Sequence, residues 1–548
     1  MNDILKDNLK FQKLDNQKDI TSKIEKDMTK SLKRLKDQQL IPSNLYETIK
    51  PLGTHTPRLY GLPKVHKPDV PVRPIVDMQN SPYHSVAKWL VHLLKPLCKK
   101  IVKHSVKDVF QFVDMIKELN TKDQRMLSLD VTSLFTNVPL IETINYVCDQ
   151  VIETGLDITI PIDTLKELLL KCTMNVHFMF NNDIYRQMDG VAMGSPLGPM
   201  LADFFLAKLE NGPLAQLIGK LPFYCRYVDD TFILCKHDIS RSDILRQFNE
   251  VHPAIKFTCE EESDGKIAFL DVLLTKRTDD SLRRNLNKKV TWTGQYTNFL
   301  SFVPIQHKRN LLKTLQYRIM TICSPDAVDE ETEALNKTLR ENGYPIKFIN
   351  KHAISKTNRK MIQTAERKPL FLRLAYRGDA PSEMLTLRLR SSIRRTYNAG
   401  KLQLVFFTRP MVISRIKDKL PKLATSFCIY QFNCSCGASY IGRCSRNLLL
   451  RAREYLPVWL TKGVVRSINS SVLAHLIQTG HLASINQSLR IIFCVNSYLS
   501  RSVRLKVLKT TEAIAIRVKK PDLCIQEKYG QPLLLPWPTQ DPLNQSPP

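Results

Sequence analysis

At 548 residues with 43% hydrophobic content, the chain is long enough for about three domains with cores of their own, which excludes a disordered tail. Its 81 lysines and arginines against 52 acidic residues leave a net charge of +29, which points to a polyanionic partner, nucleic acid ahead of an anionic membrane surface. No apolar stretch approaches the roughly 20 residues a bilayer span needs, the N-terminus is charged without a signal-peptide core, and thirteen scattered cysteines fit a reducing compartment better than a disulfide framework. The expectation is a soluble intracellular protein with no membrane partner.

Residues 1–56 carry lysines every few positions with apolar residues at helical spacing, which predicts a basic helical N-terminal arm, either bound to nucleic acid or a solvated helix. From 57 to 275 short strand-like runs (126–129, 176–180, 232–235, 267–274) alternate with longer helical stretches, so an α+β domain is expected. Residues 276–425 are basic and helix-biased, with 346–425 read as a helical linker. From 426 closely spaced strand signals give way to helix up to about 530, and 531–548 is a Pro-rich tail.

The chemistry centres on Tyr227-Val228-Asp229-Asp230, which lies between two apolar runs as the tip of a predicted hairpin. Adjacent carboxylates raise each other's pKa unless a cation neutralises them or they splay into solvent. A divalent metal that also takes substrate phosphates is the economical reading; an Asp-rich turn is the alternative. Asp130, 99 positions earlier, ends a strand-like run and can face the pair. Between them, residues 190–199 (GVAMGSPLGP) are dense in glycine, which lets backbone approach a flat substrate such as a base. Upstream, Lys64 and Arg73 sit on short extended segments, able to clamp a triphosphate or simply to decorate basic surface strands.

In this order the motifs GLPKVHKP, VRPIV, LDVTSLFTNVPL, GVAMGSPLGP, RYVDD and IAFLDV resemble the successive polymerase blocks of Penelope-like retroelement reverse transcriptases over roughly 57–275. The resemblance implies a right-hand polymerase of fingers, palm and thumb (276–345) that performs RNA-directed DNA synthesis with two Mg2+ ions on template RNA, a DNA primer and dNTPs. Asp130 and Asp229 would be the principal metal ligands, with Asp230 in support. Phe135 matches the steric-gate position that prefers deoxynucleotides. Lys64 and Arg73 would contact the triphosphate, and Met193, Gly194, Ser195 and Pro196 would lie against the nascent base pair. Asp271 falls in the primer-grip block, where a packed structural strand is expected, and His307, Lys308 and Arg309 would touch backbone phosphates.

Residues 426–530 resemble a GIY-YIG endonuclease, a small α/β nuclease carried by many Penelope-like elements. Tyr430 and Tyr440 match its two tyrosines, Arg451 its arginine and Glu512 its metal-binding glutamate, which would hold one Mg2+. Three positions depart: Cys428 stands for the first glycine, Tyr455 for a histidine, and Gln526 for an asparagine. Cys434, Cys436, His475 and His481 match the family's embedded Cys and His residues and would bind a structural Zn2+, against free cysteines and surface histidines. Three functions are therefore expected in order: a retrotransposon polymerase with target-DNA nicking, acting in the nucleus; a telomerase-like polymerase with an inactive nuclease; and a domesticated nucleic-acid-binding protein without catalysis.

Overall fold

The computed structural model describes residues 1–14, 20–65, 69–353, 368–396, 400–408, 417–418, 420–455, 468, 470–481, 483–497 and 499–524. Gln526 and the Pro-rich tail lie outside them.

Seventeen strands are described. Those of the first half are β1 (Phe11–Lys13), β2 (Arg58–Pro63), β3 (Val72–Asp77), β4 (Gln124–Val131), β5 (Val176–Phe180), β6 (Asp183–Gln187), β7 (Phe223–Tyr227), β8 (Asp230–Lys236) and β9 (Phe257–Glu261). They form two sheets, one of order β1-β6-β5-β2-β3 and one of order β7-β8-β4-β9. The second is wholly antiparallel, with Asp130 of β4 in register with Asp230 of β8. One continuous apolar core runs beneath both sheets, built on the helices His84–Ile101, Leu140–Glu153, Ile162–Thr173 and Gly198–Asn211. The 3.6-residue apolar spacing of these helices puts Leu90, Leu94 and Leu97, or Leu165, Leu168 and Leu169, on one buried face.

The N-terminal segment is helical, over Thr21–Asp37 and Ser43–Ile49, but it is no separate arm. Met28, Leu32, Leu35, Tyr46 and Ile49 are buried in the same core, and β1 completes the first sheet. The lysines read as a nucleic-acid arm are the outer face of a packed helix.

A three-stranded meander of β10 (Lys266–Phe269), β11 (Val272–Lys276) and β12 (Leu282–Leu286) follows. The single strand expected over 267–274 is a tight hairpin, because Leu270 adopts a left-handed φ of 53° that reverses the chain. Helices Ile305–Ile322, Val328–Glu341 and Ile346–His352 then pack around Leu312, Ile319, Leu335, Leu339 and Tyr344. The helical linker expected over 346–425 proves instead to contain two parallel strands, β13 (Lys368–Ala375) and β14 (Gly400–Phe407), joined by the helix Asp379–Thr396. The C-terminal domain is a sheet of order β16-β15-β17, from β15 (Cys428–Asn433), β16 (Ser439–Cys444) and β17 (Leu489–Cys494), with helices Leu448–Tyr455, Ser471–Thr479 and Arg501–Lys519 around it. No helix among the described residues is long and apolar enough to cross a membrane.

Candidate functional site

Asp229 sits in the two-residue turn between β7 and β8, and that turn is strained: Val228 carries a φ of 56°, a conformation β-branched residues strongly resist. Arg226 over-determines it from below. Its side chain is 1% exposed, its Nη1 donates to the Val228 carbonyl at 3.0 Å and pairs with Asp203 at 2.7 Å, and its Nε pairs with Glu210 at 2.6 Å. Tyr224 donates to the same Glu210 at 2.9 Å. Asp203 and Glu210 belong to no motif of the sequence, and Arg226 enters only as the first residue of RYVDD. A strongly charged residue inside an apolar strand was the available signal, since a buried arginine must be paired.

The turn brings Asp229 beside Asp130, and the Val131 amide donates to the Asp229 carbonyl at 3.1 Å. Burial pushes the Asp229 carboxyl up and the Asp130 carboxylate adds to the rise, while its own backbone amide, Arg73 and Lys64 pull the other way. Two carboxylates and two cations separated by up to 165 positions thus share one electrostatic neighbourhood. Hard oxygen donors of this kind suit Mg2+, and a cation there would remove the mutual repulsion. Asp130, Asp229 and Asp230 do not, however, bring three ligand atoms into one nest: among the described residues the cluster of three or more metal-ligating groups lies elsewhere.

The glycine block docks on the strand that carries Arg73. The Val76 amide donates to the Met193 carbonyl at 2.8 Å, and Gly194, at φ 113°, passes so close to β3 that a Cβ would stand 2.2 Å from the Val76 oxygen. Only glycine fits there. Ser195 is buried, and its hydroxyl accepts from the Leu197 amide at 3.3 Å just ahead of the helix Gly198–Asn211. Phe135, on the short helix Leu134–Asn137, is half-buried; its carbonyl accepts from Val191 at 2.7 Å and its ring lies against Gly198.

Two expectations further along require correction. Asp271 is on an exposed hairpin turn and pairs with Arg318 at 2.7 Å, so it does not belong to a packed strand. Lys308 is buried, its ammonium donating to the Ser301 carbonyl at 3.0 Å and lying over the Phe299 ring, so it is not a free phosphate contact. A cleft of about 400 Å3 beside them, lined by Trp292, Tyr296, Lys288 and Arg318, had no sequence signal.

In the C-terminal domain Tyr430, Tyr440 and Arg451 converge. Tyr430 on β15 is fully buried, hydrogen-bonded to the Tyr455 hydroxyl, and accepts from Arg451 Nε at 3.2 Å. Burial pushes the Tyr430 phenol up to about 12. Its ring is 6.3 Å from that of Tyr440, and Gly442 leaves the gap between them, since a Cβ there would lie 2.7 Å from both. Glu512, from the helix Arg501–Lys519, reaches the same sheet: it accepts from the Arg443 amide at 3.0 Å and pairs with its guanidinium. Burial raises the Glu512 carboxyl, with Arg443 and Arg451 opposing. Tyr455, noted in sequence only as a departure, is therefore built into this cluster. Cys428 is buried, in register with Cys444 and Cys494 on the neighbouring strands.

Cys434, Cys436, His475 and His481 place their ligand atoms within 4.8 Å of one another. Cys434 Sγ is 3.4 Å from His481 Nδ1 and Cys436 Sγ is 3.4 Å from His475 Nε2. The close Cys-x-Cys spacing is resolved by the β15–β16 turn, where Gly437 at φ 92° lets both sulfurs face the helix Ser471–Thr479. Two thiols and two imidazoles are the donor set of a closed tetrahedral zinc site.

Residues 65–262 match the family described as reverse transcriptase (RNA-dependent DNA polymerase), and residues 295–353 match the animal helix-turn-helix domain family. No curated protein matches. Similar solved structures include telomerase from Candida albicans with a TWJ fragment of telomeric RNA (13% identity, TM-score 0.37, 57% of this chain and 58% of that one). Others are an apo telomerase from Candida tropicalis truncated from its C-terminal domain (13%, 0.35, 42% and 55%) and the Sicinivirus 3Dpol RNA-dependent RNA polymerase (13%, 0.37, 57% and 70%). The chain spans 53–58% of the length of the telomerase chains it matches.

Proposed function

We propose that this chain, whose residues 65–262 match the reverse transcriptase family, is an RNA-directed DNA polymerase of a Penelope-like retroelement, with Asp130 and Asp229 as its metal-binding carboxylates. The observation that carries this reading is Asp229, held on a strained turn by Arg226, facing Asp130 within the field of Arg73 and Lys64. Mg2+ bound there would lower the pKa of a primer 3′-hydroxyl and hold the triphosphate. Around it, Arg73 and Lys64 neutralise incoming phosphates, Asp230 supports the hairpin through its pairing with β4, and Gly194 to Pro196 supply a backbone surface for the nascent pair. Phe135 excludes a ribose 2′-hydroxyl.

The C-terminal cluster supports a GIY-YIG-type nicking activity: Arg451 would stabilise charge on the cleaved phosphate and Glu512 would bind one Mg2+. One observation favours the second reading, a polymerase with an inactive nuclease. Tyr430 is buried against Tyr455 with its phenol pushed up, so at neutral pH it stays protonated and offers no phenolate to take a proton from water.

The test supplies RNA template, DNA primer, dNTPs and Mg2+, with supercoiled plasmid as a parallel substrate. Asp229→Ala should abolish extension and leave nicking intact; Arg451→Ala should do the reverse. Extension by Asp229→Ala at the wild-type rate would sink the site assignment, and absence of nicking by the wild-type chain would favour the second reading.

A further inference from the structure

We propose that the open face of the β13–β14 sheet is a platform for single-stranded nucleic acid, separate from the polymerase cleft. The strands run parallel in register from Lys368 opposite Gly400 to Ala375 opposite Phe407. The helix Asp379–Thr396 packs on one face, where Leu402 is buried and Leu370, Leu374, Leu404 and Phe406 are half-buried. Nothing among the described residues covers the other face, which displays Phe371, Arg373, Lys401, Gln403, Val405 and Phe407. Phe371 is 66% exposed and Phe407 42%.

Two aromatic rings standing in water on a sheet are costly unless something stacks on them. The open face itself carries Arg373 and Lys401 and no acidic residue, so the occupant is an anion. A second copy of this chain would bring the same positive face and be repelled. The Arg373 guanidinium already lies 5.6 Å from the centre of the Phe407 ring, which gives a stacked base a cation on its flank. Sheet aromatics that stack bases, with arginines tracking the backbone, are how single strands are held without sequence preference. A duplex hides its base faces and cannot use the rings. The four-residue offset between Phe371 and Phe407 corresponds to roughly 13 Å along the strands. That is well beyond the rise of about 3.4 Å between stacked bases, so the two rings would take non-adjacent bases.

The platform is fixed to the helical domain beside it. Asp379 accepts from the Ile305 amide at 3.0 Å, at the N-terminus of the helix Ile305–Ile322, and Tyr376 packs on Phe302 with ring centres 4.8 Å apart.

The experiment uses the full-length chain saturated with a non-extendable RNA–DNA primer–template and no dNTPs, so that its outcome does not depend on catalysis. Fluorescein-labelled oligo(U), oligo(dT) and a DNA duplex of the same length are then titrated by anisotropy. Both single strands should still bind. The double variant Phe371→Ala/Phe407→Ala should weaken them by tenfold or more while changing duplex binding less than twofold, and Phe371→Tyr/Phe407→Tyr should restore them. A preference between oligo(U) and oligo(dT) tells whether RNA or DNA is the ligand, and either supports the platform. Wild-type affinity in the double alanine variant overturns it, as does an equal loss for duplex. A dimer that the variant dissolves while oligonucleotide binding persists would likewise overturn it, assigning the face to self-association. Both rings are exposed, so matching thermal melts are expected and serve as the folding control.

Discussion

Asp229 concentrates the physics of the candidate metal site. Its carboxyl is raised from the ordinary value of 3.8 by burial and by Asp130. A carboxyl whose folded value lies above its unfolded one destabilises the fold once pH rises past 3.8, and the penalty is complete above the folded value. In EDTA at pH 7, Asp229→Asn is therefore expected to melt above the wild type, the gap closing as pH falls toward 3.8; adding Mg2+ should also close it, by stabilising the wild type alone. Thermal denaturation across pH, with and without Mg2+, reads both effects, and a gap independent of pH would refute the account. Asp130, Asp229, Lys64 and Arg73 were all visible as residues in the sequence. Arg226 showed only as a charge inside an apolar strand; its role stayed hidden because its partners Asp203 and Glu210 are delivered by the helix Gly198–Asn211.

At the scale of elements, the β15–β16 hairpin shows how a turn makes a site. Cys434 and Cys436, only two positions apart, reach one cluster because a left-handed Gly437 turns the chain just after them, and the helix Ser471–Thr479 then delivers His475. If zinc is bound there, purified protein should carry one zinc per chain. Chelation or Cys434→Ser/Cys436→Ser should then remove the metal and lower the melting transition of the C-terminal domain, because the energy of a structural metal is folding energy. A metal-free protein with an unchanged melt would leave a thiol–imidazole cluster only. The β13–β14 pair makes the opposite point. Its basic, arginine-rich sequence reads as helix, and the helix Asp379–Thr396 is indeed present, but parallel pairing across more than thirty positions leaves no local pattern.

Across the whole molecule, the C-terminal domain and the N-terminal segment close on each other. Leu52 packs in the same cluster as Phe427, Ile429, Ile441 and Leu508, Arg501 pairs with Glu47, and a Cβ on Gly53 would lie 2.4 Å from the Ser445 oxygen. Lys417 ties in from the other side through Asp77, the base of the strand that carries Arg73. Gly53→Val should pry this contact apart, so calorimetry should show the C-terminal domain melting in an earlier, separate transition; a single unshifted transition would refute the coupling. The order of polymerase blocks, the α+β character of 57–275 and the identities of the chemistry-bearing side chains were determined by sequence alone, because period, turn residues and motif spacing are local properties. The buried ion pairs under the Val228–Asp229 turn, the burial of Lys308, the exposed Phe371 and Phe407, and the N-terminal helices as core and not arm were decided only in three dimensions. Each depends on which surfaces the remainder of the chain covers, and that is set by contacts between segments far apart in sequence.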